Sequence, residues 1–144
     1  MKLQDFYNNI GKQLSISPWI ELDQNHTDQF GVLTGNTHPI HTDTNNQKTI
    51  AHGLMLTSLI TNFINISNLR PEDTEHSLIY GLDRVRFIKP IIIGPGYRLR
   101  NIITLLDVKN KNKGTLIKTA HEFQIEGNDD IVAYAEYLAL WLKK

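Results

Sequence analysis

Gly53-Leu54-Met55-Leu56-Thr57-Ser58-Leu59-Ile60-Thr61-Asn62-Phe63-Ile64-Asn65 is the segment on which the fold turns. Thr57, Ser58, Thr61, Asn62 and Asn65 fall into one narrow polar stripe at helical spacing. Leu54, Met55, Leu56, Leu59, Ile60, Phe63 and Ile64 fill the remaining circumference. A helix apolar over most of its girth is wrapped by other structure, so this one predicts a central element.

The residues downstream supply the wrapping. His76 to Phe87 is rich in strand formers and carries Gly81, which predicts a bend or bulge. Pro90 and Gly94-Pro95-Gly96 mark a turn, and Tyr97 to Val108 reads as the next strand. Asn110 to Gly114 reads as a hairpin loop. Thr115 to Glu126 then alternates, with Ile117, Thr119, His121, Phe123 and Ile125 on one face. A turn at 127–130 leads into Ile131 to Leu142, apolar enough for a central strand. Consecutive strands joined by short turns predict four or five antiparallel neighbours. The fold class is therefore α+β, a sheet curled around one helix, with 1–144 as a single domain.

Upstream of the helix, Ser17 to Leu22 reads as a short extended entry. Asp23 is a candidate N-cap for a helix from Gln24 to Thr34, with His26, Phe30 and Leu33 at helical spacing and Gly35 as the terminating glycine. Gly31 interrupts that pattern, and 36–50 reads as loop.

Bulk properties narrow the function. The net charge is +0, which gives no electrostatic reason to expect nucleic acid or a membrane surface as partner. Cysteines are absent, which removes thiolate nucleophiles and disulfides and fits a reducing compartment. Met1 to Phe6 has no secretory pattern, and the stretch from Leu54 to Ile66 is too short and polar to span a bilayer, so a cytoplasmic protein is expected.

His41 and Gly53 are the residues with chemistry to offer. An imidazole titrates near neutrality and can exchange a proton at physiological pH. A glycine opening a helix presents backbone N–H groups without intrahelical partners, which suit a developing negative charge on oxygen. Each also has a plainer reading: a histidine in a polar loop as a solvated or capping residue, and His52-Gly53 as a helix start. His121 on an apolar face reads as a satisfied core group, and Arg84 with Arg86 as a solvated sheet face that can also reach phosphates. His26, His38 and His76 lack metal-ligand spacing. Ser58, Thr57 and Thr61 lie in a helix with no nucleophile elbow.

Read together, Gly35-Asn36-Thr37-His38-Pro39-Ile40-His41-Thr42-Asp43 and Ile50-Ala51-His52-Gly53 resemble the hydratase motif of MaoC-like enoyl-CoA hydratases and dehydratases. Trp19 to Gln24 and Tyr80 to Phe87 resemble flanking segments of the nodulation protein N-like branch. The resemblance implies a hot-dog fold, a homodimer and an acyl-CoA or acyl-carrier thioester as substrate, with no cofactor and no metal. The implied reaction is reversible hydration of a trans-2-enoyl thioester to the (R)-3-hydroxyacyl product. Carried over by position, His41 matches the family histidine and Gly53 the glycine whose N–H binds the thioester oxygen. The family aspartate falls on Asn36, and His38 replaces the usual asparagine before the proline. A neutral amide cannot take a proton from water. Asn36 is then left to orient a water for His41, and a non-catalytic acyl-thioester binder is the alternative. His38 offers either a second imidazole or a loop-packing group. Hydrolysis by a carboxylate ranks lower, because no acidic residue sits near Gly53 in sequence.

Overall fold

The computed structural model describes residues 1–45, 48–127 and 130–144. In chain order its elements are α1 (Leu3–Tyr7), β1 (Gln13–Ile16), β2 (Ile20–Glu21), α2 (Gln24–Thr34), α3 (Pro39–Thr42), α4 (Gly53–Ser58), α5 (Ile60–Ile66), β3 (Thr74–Phe87), β4 (Arg98–Lys111), β5 (Gly114–Ile125) and β6 (Ile131–Lys143). The strands form one 6-stranded antiparallel sheet in the order β1-β4-β5-β6-β3, with the short β2 also on β4. Ile131 onward is the interior strand expected. The four long strands are joined by β1 and β2, so the sheet exceeds the four or five strands read from the sequence. None of the described helices is long and apolar enough to cross a membrane.

The β4–β5 hairpin is tighter than the sequence suggests. Lys111 already pairs with Gly114, leaving only Asn112 and Lys113 in the turn. Gly114 is required there, because a Cβ would lie 2.2 Å from the Trp141 carbonyl oxygen on β6. The next expected turn includes Asn128 and Asp129, which lie outside the described residues.

The central helix packs on the concave face of the sheet through Met55, Leu56, Ile60, Phe63 and Ile64. Phe63 meets Phe123 edge to face at 5.8 Å, and the Thr61 and Tyr137 hydroxyls are 3.3 Å apart. The single helix expected over 53–65 is present as α4 and α5, separated at Leu59. The separation is slight, because Leu59 keeps right-handed helical angles and its N–H still donates to the Met55 carbonyl at 3.0 Å. The Thr57 and Ser58 hydroxyls both donate back to the Leu54 carbonyl, at 2.8 and 3.1 Å, and so compete with the backbone ladder. Nor is the girth fully wrapped: Leu54 is 64% exposed, at the rim of a cavity described below.

Two expectations for β3 part company. Gly81 does mark a register shift, between Ile79 and Gly81. A further shift separates Asp83 from Arg86, with Arg84 at φ 49, so Arg84 and Arg86 do not share a simple alternating face. Arg84 instead lies 3.8 Å from Glu136, whose other oxygen is 2.5 Å from Lys118. His121 is the buried core group expected. Its Nδ1–H donates to Asn101 Oδ1 at 2.7 Å, and the Thr119 hydroxyl donates to its Nε2 at 2.8 Å. Burial pushes its pKa down to about 3.

Candidate active site

The site is built on α2, α3 and the start of α4. Asp23 caps α2 as expected, its carboxylate accepting from the His26 N–H at 2.9 Å, and Gly35 ends the helix at φ 76. The helix does not bury Leu33, which is 83% exposed. Thr27 and Gly31 are its buried residues. Gly31, which looked like an interruption, is the point of closest approach. A Cβ there would lie 2.7 Å from the Asn36 carbonyl oxygen and 3.3 Å from His52 Nε2.

The stretch read as loop contains a helical turn, α3. Pro39 occupies a first-turn position, where its fixed φ suits a helix and its missing N–H costs nothing. His38 is neither a packing group nor a second imidazole in the site. It is exposed and caps α3, its Nδ1 accepting from the Ile40 N–H at 3.2 Å. The proline was the signal that could have revealed this turn.

His41 is anchored twice. Its Nδ1–H donates to the Ile50 carbonyl at 2.7 Å, which leaves the lone pair of the neutral ring on Nε2. Its own carbonyl accepts from Gln24 Nε2 at 2.7 Å, and the same amide reaches Asp28 at 2.8 Å. Thr49 also hydrogen-bonds Gln24. Gln24 therefore ties the first turn of α2 to the imidazole turn, a role invisible from sequence because its partners lie 17 and 25 positions away.

His41, Asn36 and Gly53 line one cavity of about 240 Å³, together with Phe30, Thr34, His52 and Leu54. No side-chain hydrogen bond caps α4, so the donors of its first turn are not taken by a cap. Phe87 lies against Gly53 so closely that a Cβ there would be 2.9 Å from its ring. The His52 ring stacks on His41 with centroids 3.9 Å apart and planes 23° apart, and Phe30 meets it at 5.3 Å. None of the described lining residues is acidic. Asn36 Oδ1 accepts weakly, at 3.4 Å, from the His38 N–H.

Phe30 is also a wall of a larger groove, about 450 Å³, between β2, α2 and the central helix. Leu22, Leu33, Met55 and Leu59 make it apolar, and Ser58 and Asn62 from the polar stripe enter it. His26 borders this groove rather than the imidazole cavity, His76 is exposed on β3, and among the described residues no three His, Cys, Asp or Glu converge as a metal set.

Comparison with known proteins places the chain in a family. A family model described as a MaoC like domain matches residues 5–125. The chain is 30% identical over 135 residues to nodulation protein N of Rhizobium leguminosarum bv. viciae, covering 88% of this chain and 81% of that protein. It is 26% identical over 139 residues to the 3-hydroxyacyl-thioester dehydratase Z of Mycobacterium tuberculosis, covering 92% and 90%. The R-hydratase PhaJ1 of Pseudomonas aeruginosa superposes with a TM-score of 0.70 at 18% identity, over 94% of this chain and 83% of that one. The α+β hot-dog fold expected from the sequence is the one observed.

Proposed function

Because the chain belongs to the MaoC-like domain family, we propose that it catalyses reversible hydration of a trans-2-enoyl thioester to a (R)-3-hydroxyacyl thioester. The observation that carries the reading is the convergence of His41, Asn36 and Gly53 on one cavity beside a larger, mainly apolar groove. In the hydration direction, His41 Nε2 takes a proton from water as the oxygen bonds to C3 of the enoyl group. The electron pair of the double bond moves toward the thioester oxygen, where the Gly53 N–H stabilises the enolate. The imidazolium then returns its proton at C2, so water adds in full and the base is regenerated. Stabilisation that grows with the developing charge is what lowers the barrier. Asn36 holds the water, and the groove beyond Phe30 takes the acyl chain.

The assay is loss of enoyl absorbance when crotonyl-CoA or a longer enoyl-CoA is mixed with the protein. No turnover above buffer from well-folded protein refutes the catalytic reading for those substrates. Asn36 in place of a carboxylate favours one second reading, a protein that binds acyl thioesters without converting them. Calorimetric binding of a saturated acyl-CoA with no turnover of its enoyl counterpart would select it.

The proposal includes a homodimer. Leu78, Ile79, Tyr80 and Leu82 leave an apolar stretch exposed on β3, the edge strand beside β6. An uncovered apolar edge invites pairing with another strand, and a second copy satisfies it.

A further inference from the structure

Within the imidazole cavity, His52 is a titratable residue, stacked on His41, that the hydration scheme leaves unused. Its position would suit a helix cap, yet its side chain makes no capping hydrogen bond. The ring is turned inward, 4% exposed, and lies nearly parallel on His41 at 3.9 Å. Its buried Nε2 has no hydrogen-bond partner among the described residues and faces Gly31, where a Cβ would lie 3.3 Å away. A buried polar atom without a partner is costly, so this placement calls for a reason.

We propose that His52 is a positioning residue for His41: its neutral ring fixes the plane of the His41 imidazole and stabilises the imidazolium by face-to-face contact. The inference rests on the reading of His41 as the base. When His41 takes a proton, a positive charge appears in a cavity whose described lining offers no carboxylate to balance it. The face of a neutral aromatic ring attracts a cation stacked upon it. A stacked ring serves only if it stays uncharged itself. Burial, and after it the charge of His41, hold the His52 proton affinity below the ordinary histidine range. The Thr27 backbone and the Asp28 carboxylate push weakly the other way. His41 from α3 and Asp28 from α2 are the titratable groups acting on it.

The experiment is an NMR titration of histidine-labelled full-length protein, run beside enoyl-CoA turnover, for the wild type, His52→Leu and His52→Phe. Leucine removes the π face and phenylalanine keeps it. In His52→Leu the midpoint of the His41 titration moves to lower pH by about half a unit, and kcat falls roughly three- to tenfold with KM unchanged. In His52→Phe both return to near wild-type values. If His52→Leu fails to fold, His52→Gln, which also lacks a ring face, gives the same two readouts. A folded leucine or glutamine variant with an unaltered His41 titration overturns the proposal. So does a wild-type protein in which His52 takes the proton before His41. Should the wild type show no turnover while the His41 titration responds as described, the hydratase reading fails and the stacking proposal stands.

Discussion

Gly31→Ala puts the architecture of the site to a quantitative test. The position is inside α2, where alanine is ordinarily the better residue by about 0.5–1 kcal/mol. Here the added methyl would meet the Asn36 carbonyl oxygen at 2.7 Å and His52 Nε2 at 3.3 Å. The first contact is the decisive one, because it involves backbone that cannot rotate aside. Relief needs a displacement of roughly half an ångström, and overpacking of this kind costs about 1–3 kcal/mol. Steric cost outweighs propensity, giving a net destabilisation of about 1–2 kcal/mol and a fall in Tm of roughly 3–6 °C for a chain of this size. The group that must move carries Asn36, so turnover suffers beyond the loss of stability. Misplacement by about an ångström can cost a hundredfold in rate, and we expect a ten- to hundredfold loss in kcat/KM at a temperature where the variant is fully folded. Val32→Ala, on the 76% exposed neighbour in the same helix, is the control and should change stability by less than about 0.5 kcal/mol. Thermal melts and the enoyl-CoA assay read both quantities. A Gly31→Ala protein as stable and as active as the wild type refutes the close-approach argument.

Asn36→Asp restores a proton acceptor and should raise hydration at least tenfold, as general-base magnitudes imply; an unchanged rate in a folded variant contradicts the assignment. His41→Ala should remove whatever turnover exists, and residual activity equal to the wild type would dismiss it as the base. Light scattering at micromolar concentration should return a dimer mass for the wild type and a monomer for Ile79→Glu, a substitution on the 67% exposed edge; a monomeric wild type ends the dimer proposal. His121, with its pKa lowered from 6.5 to about 3, should make stability fall as pH drops. Below 6.5 the unfolded chain binds a proton that the folded state refuses, so the loss accrues between about 6.5 and 3 at up to about 1.4 kcal/mol per pH unit. His121→Gln, which keeps partners for Asn101 and Thr119, should flatten urea midpoints between pH 7 and pH 5; equal slopes for both proteins argue against this origin.

Periodicity revealed the central helix, the caps of α2 and the long strands because each depends on neighbours a few residues away. Asp23 and Gly35 act within one turn of their own positions, and Gly81 within one register step. What local pattern does not carry is long-range. The pairing of β1 and β2 with β4 depends on residues some eighty positions on. Gly31 seemed a defect of α2 because its reason lies on another segment. Helical spacing alone does not show that Leu33 and Leu54 border cavities, where an apolar side chain faces open space instead of packed neighbours. The motif put His41, Asn36 and Gly53 together, whereas the stacking of His52 and the anchoring by Gln24 required coordinates.

The placement of β3 has a consequence for how the molecule is made. Residues 74–87 emerge from the ribosome before 131–143, the strand they pair with. Until synthesis is nearly finished, β3 lacks the strand it pairs with and the greasy side of the central helix lacks part of the sheet it packs on. The meander of β4, β5 and β6, built from near neighbours, is the natural nucleus, and the earlier segments must wait and then dock backward onto it. Chains stalled late in translation are therefore the ones most exposed to aggregation, and the chemistry assembled by the first half of the sequence is the last part of the protein to take shape.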